Sequence, residues 1–102
     1  MSYLERCIVA GIRNGWDVSW FVKEEWNGDQ LLEVRWGLEG GLDVSKYAKK
    51  EFNWRQMAEI RSGIKQGLDV SVYAKKEFDW EEMVKRKRIR PHRPELQIFP
   101  RR

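Results

Sequence analysis

Residues 41–80 read GLDVSKYAKKEFNWRQMAEIRSGIKQGLDVSVYAKKEFDW and contain one motif twice. The triplet Asp-Val-Ser begins at Asp43 and again 26 positions later at Asp69. Towards the N-terminus the same triplet begins at Asp17, and the spacing from Asp17 to Asp43 is the same. A motif that recurs at a constant spacing over most of a chain predicts a repeat architecture.

The repeat divides the chain into three units, residues 5–30, 31–56 and 57–82. The second and third units are identical at 15 of 26 positions, whereas the first and second are identical at nine. Comparison of equivalent positions therefore indicates which residues are core and which are surface. We expect the first unit to depart most from the common pattern.

The sequence of each unit predicts a longer helix that starts at a capping box. The Asn53 side chain can accept a bond from a free backbone amide at the helix start while Gln56 reaches back to the backbone of Asn53. The same spacing recurs at Ser2 and Glu5, Asn27 and Gln30, and Asp79 and Glu82. The longer helix should then bury Met57, Ile60 and Ile64, which follow at helical spacing.

A glycine and an aspartate separate each longer helix from a short one. Gly15, Gly41 and Gly67 stand where a left-handed residue ends a helix at little cost. Two residues later, the aspartate of each Asp-Val-Ser triplet can cap the short helix. Inward-facing residues predicted on the short helices are Phe21, Tyr47 and Tyr73, beside Val22, Ala48 and Ala74. Three further glycines, Gly11, Gly37 and Gly63, lie inside the longer helices and indicate close helix approach, although inheritance by duplication is an alternative.

These elements predict an all-α fold, a short α-solenoid of three helix–turn–helix repeats with a basic C-terminal helix and an extended tail. Residues 1–90 form the predicted helical domain, and residues 91–102 form a basic, proline-containing tail. Arg86 and Arg90 replace Ile60 and Ile64 of the preceding copy. The fourth helix should therefore be a polar cap that stops the array.

The segment quoted above resembles the 26-residue helical repeats of proteins from Firmicutes and from their phages and integrative elements. The resemblance covers residues 5–83 and is carried by the Gly-Leu-Asp-Val-Ser and Tyr-Ala motifs. Turns of that family often contain proline after Tyr-Ala, where this chain has Lys49-Lys50 and Lys75-Lys76. The resemblance implies a helical repeat and an origin on a mobile element, and it implies no catalytic residues.

Charge divides the chain into an acidic body and a basic end. Residues 1–83 carry a net charge of −3, and residues 84–102 carry +7. No apolar run reaches the ~20 residues of a membrane helix, and Glu5 and Arg6 argue against a signal peptide. The single cysteine, Cys7, excludes an internal disulfide framework and fits a reducing compartment. We therefore expect a cytoplasmic protein without membrane contact.

Residues that would carry catalysis or hold a metal are scarce. His92 is the one histidine, and the chain has neither zinc-ligand spacing nor a phosphate-binding loop. The aspartates at 17, 43 and 69 could form an acidic row, but helix capping explains them better. Cys7 aligns with Glu33 and Glu59 and is expected on a solvated face. We predict no catalytic residue, no metal site, no cofactor and no enzymatic activity.

Six tryptophans can be sorted by comparison of the units. Trp20 aligns with Lys46 and Val72, and Trp36 aligns with Ala10 and Ser62, so both are predicted to face solvent. Exposed tryptophans are frequent binding anchors, although each could instead fold onto a neighbouring side chain. Trp54 and Trp80 recur at the first helical turn and are predicted to be half-buried, and Trp16 and Trp26 align with apolar residues and are predicted to be core.

Basic residues offer a second binding surface. Lys23, Lys49 and Lys75 recur once per unit and could follow a phosphate backbone, although Glu25, Glu51 and Glu77 make a mixed-charge solvated face the better interpretation. The fourth helix and tail add further candidate contacts for nucleic acid at Lys85, Arg86, Lys87, Arg88, Arg90 and Arg93. A short apolar motif, Leu96, Ile98 and Phe99, could dock on the array or on a partner.

The function predicted first is a non-enzymatic protein-interaction module with Trp20 and Trp36 as partner-binding anchors. The implied mobile-element origin suggests an inhibitor of a host defence protein, such as an anti-CRISPR protein, by analogy alone. The alternative is a nucleic-acid-binding protein that uses the basic tail and the lysine row. The identity of the partner and the oligomeric state stay open at this point.

Overall fold

The structure is a computed structural model that describes residues 1–88, which are all-helical and contain no β-strand. The four α-helices are α1 (Tyr3–Asn14), α2 (Gly28–Glu39), α3 (Trp54–Lys65) and α4 (Trp80–Arg88). Three 3₁₀ helices connect them, at Val18–Phe21, Val44–Lys46 and Val70–Val72. The prediction of an all-α fold is confirmed, and the first residues of α2, α3 and α4 are each separated by one period of the sequence motif.

The predicted helix signals act as local hydrogen bonds. Complete capping boxes start α1 at Ser2, α2 at Asn27 and α3 at Asn53. At the start of α4, the backbone amide of Glu82 donates to the Asp79 carboxylate at 2.8 Å. The glycines predicted to stop α1, α2 and α3 all have left-handed backbones, with φ of 77°, 69° and 80°. The sequence therefore determines both ends of these helices through residues within one turn.

The short helices are 3₁₀ helices, each capped by the aspartate of its Asp-Val-Ser triplet. In the first, the Asp17 carboxylate accepts the backbone amide of Ser19 at 3.1 Å and the Ser19 hydroxyl at 2.6 Å. Equivalent bonds join Asp43 to Ser45 and Asp69 to Ser71. These hydroxyl bonds lower the pKa of each aspartate. Capping thus accounts for the acidic row.

Phe21, Tyr47 and Tyr73 are buried as predicted, at 1%, 0% and 0% exposure. The prediction is wrong for Val22, whose side chain is 60% exposed. The first 3₁₀ helix is one residue longer than the others, and the Val22 amide bonds to the Ser19 carbonyl. The amides of Ala48 and Ala74 bond instead to the carbonyls of Val44 and Val70. This change of hydrogen bonding leaves the Val22 side chain outside the core.

Glycines within the longer helices let the 3₁₀ helices approach closely. A Cβ atom at Gly37 would overlap the Tyr47 hydroxyl and lie 2.6 Å from Cγ1 of Val44. Gly63 has the same relation to Tyr73 and Val70. The predicted close approach is therefore confirmed. It brings each tyrosine hydroxyl to a helical carbonyl, that of Glu33 for Tyr47 at 2.7 Å and that of Glu59 for Tyr73 at 3.4 Å.

Consecutive longer helices are joined by paired charges and amides. α2 packs against α3, and α3 packs against α4. Arg61 of α3 donates to the Glu33 carboxylate of α2 at 2.7 Å, and Lys87 of α4 donates to Glu59 of α3 at 3.3 Å. The same two junctions carry a glutamine that donates to a backbone carbonyl, from Gln30 to Phe52 at 2.8 Å and from Gln56 to Phe78 at 2.7 Å.

Cys7 is fully buried, so the prediction that it lies on a solvated face is wrong. The alignment with Glu33 was informative, but Glu33 is itself 3% exposed because Arg61 of the next helix covers and neutralises it. A glutamate at this repeat position therefore indicates a buried contact between helices and does not indicate exposure to solvent. Arg35 of α2 donates to the Cys7 sulfur at 3.9 Å in the equivalent place.

Candidate interaction surface

One surface is formed by residues spaced four apart along each longer helix, which places them on one helical face. On α2 these residues are Gly28, Leu32 and Trp36, on α3 Trp54, Ala58 and Ser62, and on α4 Trp80, Val84 and Arg88. We call the apolar members, Leu32, Trp36, Trp54, Ala58, Trp80 and Val84, the aromatic face. All six are exposed or partly exposed, and because α2, α3 and α4 pack side by side in one register, their stripes adjoin.

Trp36 lies at the C-terminal end of α2 with 42% of its surface exposed. The prediction that it faces solvent is therefore confirmed. The guanidinium carbon of Arg61 lies 5.2 Å from the centre of the Trp36 ring. Because Arg61 also binds Glu33, its guanidinium is held in place beside the indole, of which about two fifths stays exposed.

Trp54 and Trp80 form the second aromatic position of this face. Together with Arg55, Ala58 and Glu59 they line a shallow pocket of about 270 Å³ between α3 and α4. The Arg55 guanidinium lies 5.3 Å from the Trp54 ring centre and 5.4 Å from that of Trp80. The pocket thus combines two indole surfaces with a cation.

Comparison of the units underestimated the exposure of the Trp54 side chain, which is 41% exposed. The prediction that both residues are half-buried holds for Trp80. Trp54 lacks cover because its equivalent on the preceding helix is Gly28, which offers no side chain to pack against it. The signal was present in the sequence: Trp80 has Trp54 on its preceding helix, whereas Trp54 has a glycine.

Trp20 is not equivalent to Trp36 in its surroundings, and the prediction that it faces solvent is wrong. It is partly buried and packs against the core. The Trp26 indole donates to the Trp20 backbone carbonyl at 2.9 Å, and the Lys23 ammonium lies 4.8 Å from the Trp20 ring centre. Trp26 stands where the other units have phenylalanine, which has no N–H group to donate this hydrogen bond. Trp20 belongs to the first 3₁₀ helix and lies outside the aromatic face.

The lysine row is exposed at Lys23, Lys49 and Lys75, and so are the glutamates at 25, 51 and 77. Lys50 differs from them because its ammonium donates to the Glu25 backbone carbonyl and, at 3.0 Å, to the Gln30 side chain. The surface therefore carries both signs of charge, as the sequence indicated. Such a surface provides a weak field for a phosphate backbone.

The basic residues of α4 differ in how far they are engaged within the chain. Lys85 and Arg88 are exposed. Lys87 donates to Glu59 and to Ser62, at 3.3 and 3.2 Å, and Arg86 pairs with Glu82 while lying over the Phe78 ring. Arg86 thus lies against an aromatic side chain that packs on the core. The predicted contacts at Arg90 and Arg93, and the apolar motif at Leu96, Ile98 and Phe99, lie outside the described residues.

Within residues 1–88, no three histidine, cysteine, aspartate or glutamate side chains are grouped so that they could hold a metal ion. Each α-helix of this range is also too short or too polar to cross a lipid bilayer. No protein-family model, curated protein or solved structure matches the chain. The aromatic face and the charges around it are consequently the features of residues 1–88 that bear on function.

Proposed function

We propose that the chain is a non-enzymatic protein-interaction module that binds its partner through the aromatic face. The observation that carries this proposal is the exposure of Trp36 and Trp54, each with about two fifths of its surface open on one side of the helices. Leaving large apolar side chains in water stabilises neither the helices nor the core. Tryptophan and arginine are also the residues most enriched among the energetic centres of protein interfaces.

The charges beside these tryptophans support a protein partner. Arg61 and Arg55 each lie over an indole ring, and Arg61 is also held by Glu33. An arginine fixed in this way loses little conformational freedom when a partner binds. Ala58 and the two indole rings give the pocket an apolar lining, which favours an apolar or aromatic side chain of the partner as the inserted group.

The architecture that we propose for this module is a three-unit α-solenoid. Its support is the recurrence of capping boxes, left-handed glycines and helix-to-helix bonds at the same positions of successive units. In such an array each unit packs on its neighbours, and a continuous row of helices provides the binding surface. The aromatic face would then be a property of the row, with Trp36 ~12 Å along the helix direction from Trp54.

The experiment compares partner capture by the full chain and by a Trp36→Ala, Trp54→Ala double variant. Immobilised protein is exposed to lysate of the host, with and without nuclease, and the captured proteins are identified. We expect a partner that survives nuclease treatment and is lost with the double variant. Removal of two interface anchors should weaken binding at least about a hundredfold.

The matched control is Val72→Ala, which removes an exposed apolar side chain, 46% accessible, from the third 3₁₀ helix. We expect it to capture the same partner as the unmodified chain. Circular dichroism and thermal unfolding check that all variants are folded. Equal capture by the double variant and by Val72→Ala would reject the aromatic face as the binding site.

Nucleic-acid binding is the second candidate, and the exposure of Lys85 and Arg88 at the end of α4 favours it. Such binding should weaken steeply as salt rises, because condensed counterions are released. A titration with single-stranded and duplex oligonucleotides at low and physiological salt separates the candidates. Tight binding at physiological salt that is lost in Lys85→Ala, Arg88→Ala and unaffected by the tryptophan changes would favour this function.

Inhibition of a host defence protein, such as a CRISPR effector, is a more specific form of the first proposal. Its support is the resemblance of the Gly-Leu-Asp-Val-Ser and Tyr-Ala motifs to repeats carried by mobile elements. The capture experiment tests it directly. A defence protein should be among the captured partners, and its activity should fall when the full chain is added but not when the tryptophan double variant is added.

A further inference from the structure

The outer side of α1 corresponds to the side through which α2, α3 and α4 contact the preceding helix. Arg35, Arg61 and Lys87 occupy one repeat position and reach back to Cys7, Glu33 and Glu59 respectively. The residue of α1 at this position is Val9, and it is 38% exposed. Three residues later, Ile12 is 69% exposed, whereas its equivalents Leu38 and Ile64 are partly buried against the core.

We propose that α1 docks on α1 of a second copy of this chain, as an antiparallel pair centred on Val9. Val9 and Ile12 are apolar and exposed. Their equivalents on α2 and α3 lie on the side that packs within the chain. Antiparallel pairing of one surface with itself is the isologous arrangement of a symmetric dimer. Because Val9 meets its own counterpart there, neither copy has to bury a charge at the centre.

The charges that flank Val9 fit this arrangement. Glu5 and Arg13 lie four residues before and four residues after Val9, on the same helical stripe, and both are exposed. In an antiparallel pair centred on Val9, Glu5 of each copy faces Arg13 of the other. An ion pair between opposite charges therefore flanks the apolar contact on each side. A parallel pairing would instead place like charges together.

Head-to-tail stacking of copies is disfavoured by the other end of the array. Lys85 of α4 occupies the position of Cys7, Glu33 and Glu59, which are the residues contacted by the following helix. If α1 of one copy docked on α4 of another, Val9 would lie against Lys85. Burying an ammonium group against valine without a partner is costly. The exposed residues of α1 and α4 thus favour closure into a dimer over growth into a filament.

Sedimentation velocity of the full chain over a wide concentration range tests the proposal. We expect the mass to rise from that of the monomer towards twice that value as the concentration reaches the high micromolar range. Val9→Lys should keep the chain monomeric at every concentration. The matched control, Val72→Lys, places the same charge at an exposed valine of the third 3₁₀ helix and should dimerise like the unmodified chain.

A charge exchange tests the orientation of the pair. Arg13→Glu should weaken dimerisation about tenfold, and the double change Glu5→Arg, Arg13→Glu should restore it. Circular dichroism confirms that α1 is retained, since Glu5 also belongs to its capping box. A chain that stays monomeric throughout, or a Val9→Lys variant that dimerises normally, would overturn the proposal. So would a dimer that is lost on Trp36→Ala but kept on Val9→Lys.

Discussion

The first junction between helices, from α1 to α2, differs in chemistry from the two junctions that follow it. The later junctions each contain a salt bridge, a glutamine that donates to a backbone carbonyl, and a tyrosine hydroxyl bonded to a helix. The equivalent residues of the first unit are Cys7 for the acid, Leu4 for the glutamine and Phe21 for the tyrosine. All three substitutions replace a polar group by an apolar or weakly polar one.

Arg35 shows how the first junction compensates for the missing acid. Its guanidinium donates to the Cys7 sulfur at 3.9 Å and lies 5.8 and 5.9 Å from the ring centres of Tyr3 and Trp16. Contacts with two aromatic rings thus replace the carboxylate of the later junctions. Leu4 and Trp26 likewise line one hollow, together with Glu24 and Glu25, at the place where a glutamine bonds elsewhere. The same arrangement of helices is therefore compatible with junctions made by polar side chains and with junctions made by aromatic ones.

The largest expected effect tests whether the later units carry most of the core. Ile60 is fully buried in the third unit, and its equivalent in the first unit, Ile8, is only partly buried. We expect Ile60→Ala to lower the free energy of unfolding by about 4 kcal/mol and Ile8→Ala by about half as much. Urea unfolding followed by circular dichroism measures both. Equal losses would show that the two ends of the core are packed alike.

The salt bridge of the second junction provides the next test. Arg61→Ala leaves the buried carboxylate of Glu33 without its cation, and we expect a loss of about 3 kcal/mol. Arg35→Ala at the first junction removes aromatic and thiol contacts and the ion pair with the exposed Glu39 of the same helix, at 3.3 Å, and should cost about 1 kcal/mol. Adding Glu33→Gln to Arg61→Ala should recover part of the stability. If the double variant is no more stable than Arg61→Ala, burial of unpaired charge is not the cause.

Alkaline pH should destabilise the later units through their tyrosines. Burial raises the pKa of Tyr73 to about 12 and also raises that of Tyr47. The neutral phenol is favoured in the folded state, so its contribution is complete below pH ~10 and is lost as pH rises towards 12. We expect the free energy of unfolding to be lower at pH 11 than at pH 9, by about 1 kcal/mol for each tyrosine. The pH dependence should be smaller in Tyr73→Phe, and an unchanged dependence would contradict the assignment.

The smallest effect comes from converting the first unit to the pattern of the others. Phe21→Tyr adds a hydroxyl at the position equivalent to that of Tyr47, which donates to the Glu33 carbonyl, and the equivalent acceptor in the first unit is the Cys7 carbonyl. One additional buried hydrogen bond should stabilise the chain by about 1 kcal/mol or less. Thermal unfolding of Phe21→Tyr and the unmodified chain measures it. A decrease in stability would show that the space at Gly11 is smaller than at Gly37.

Much of the fold, but less of the candidate site, could be predicted from the sequence. Capping boxes, left-handed glycines and buried Tyr47 and Tyr73 follow from motifs that repeat within the chain. Exposure was predicted correctly for Trp36 and wrongly for Trp20. An indole ring is large enough to reach neighbouring segments, so its exposure depends on which side chains those segments supply. Comparison of units shows which repeat position a tryptophan occupies, but it does not show which neighbouring side chains cover it.

The sequence by itself determined where α1, α2 and α3 begin and end, because those signals are local: capping bonds between residues three apart and glycines with a left-handed backbone. It also determined the period at which the starts of α2, α3 and α4 recur. Only the tertiary structure decided that Glu33 and Cys7 are buried, and only the packing of α2 beside α3 shows that the glycine opposite Trp54 leaves this side chain open. The cause is that their neighbours lie 26 to 28 positions away, across a junction between helices, where the partner side chain and not the residue itself determines burial.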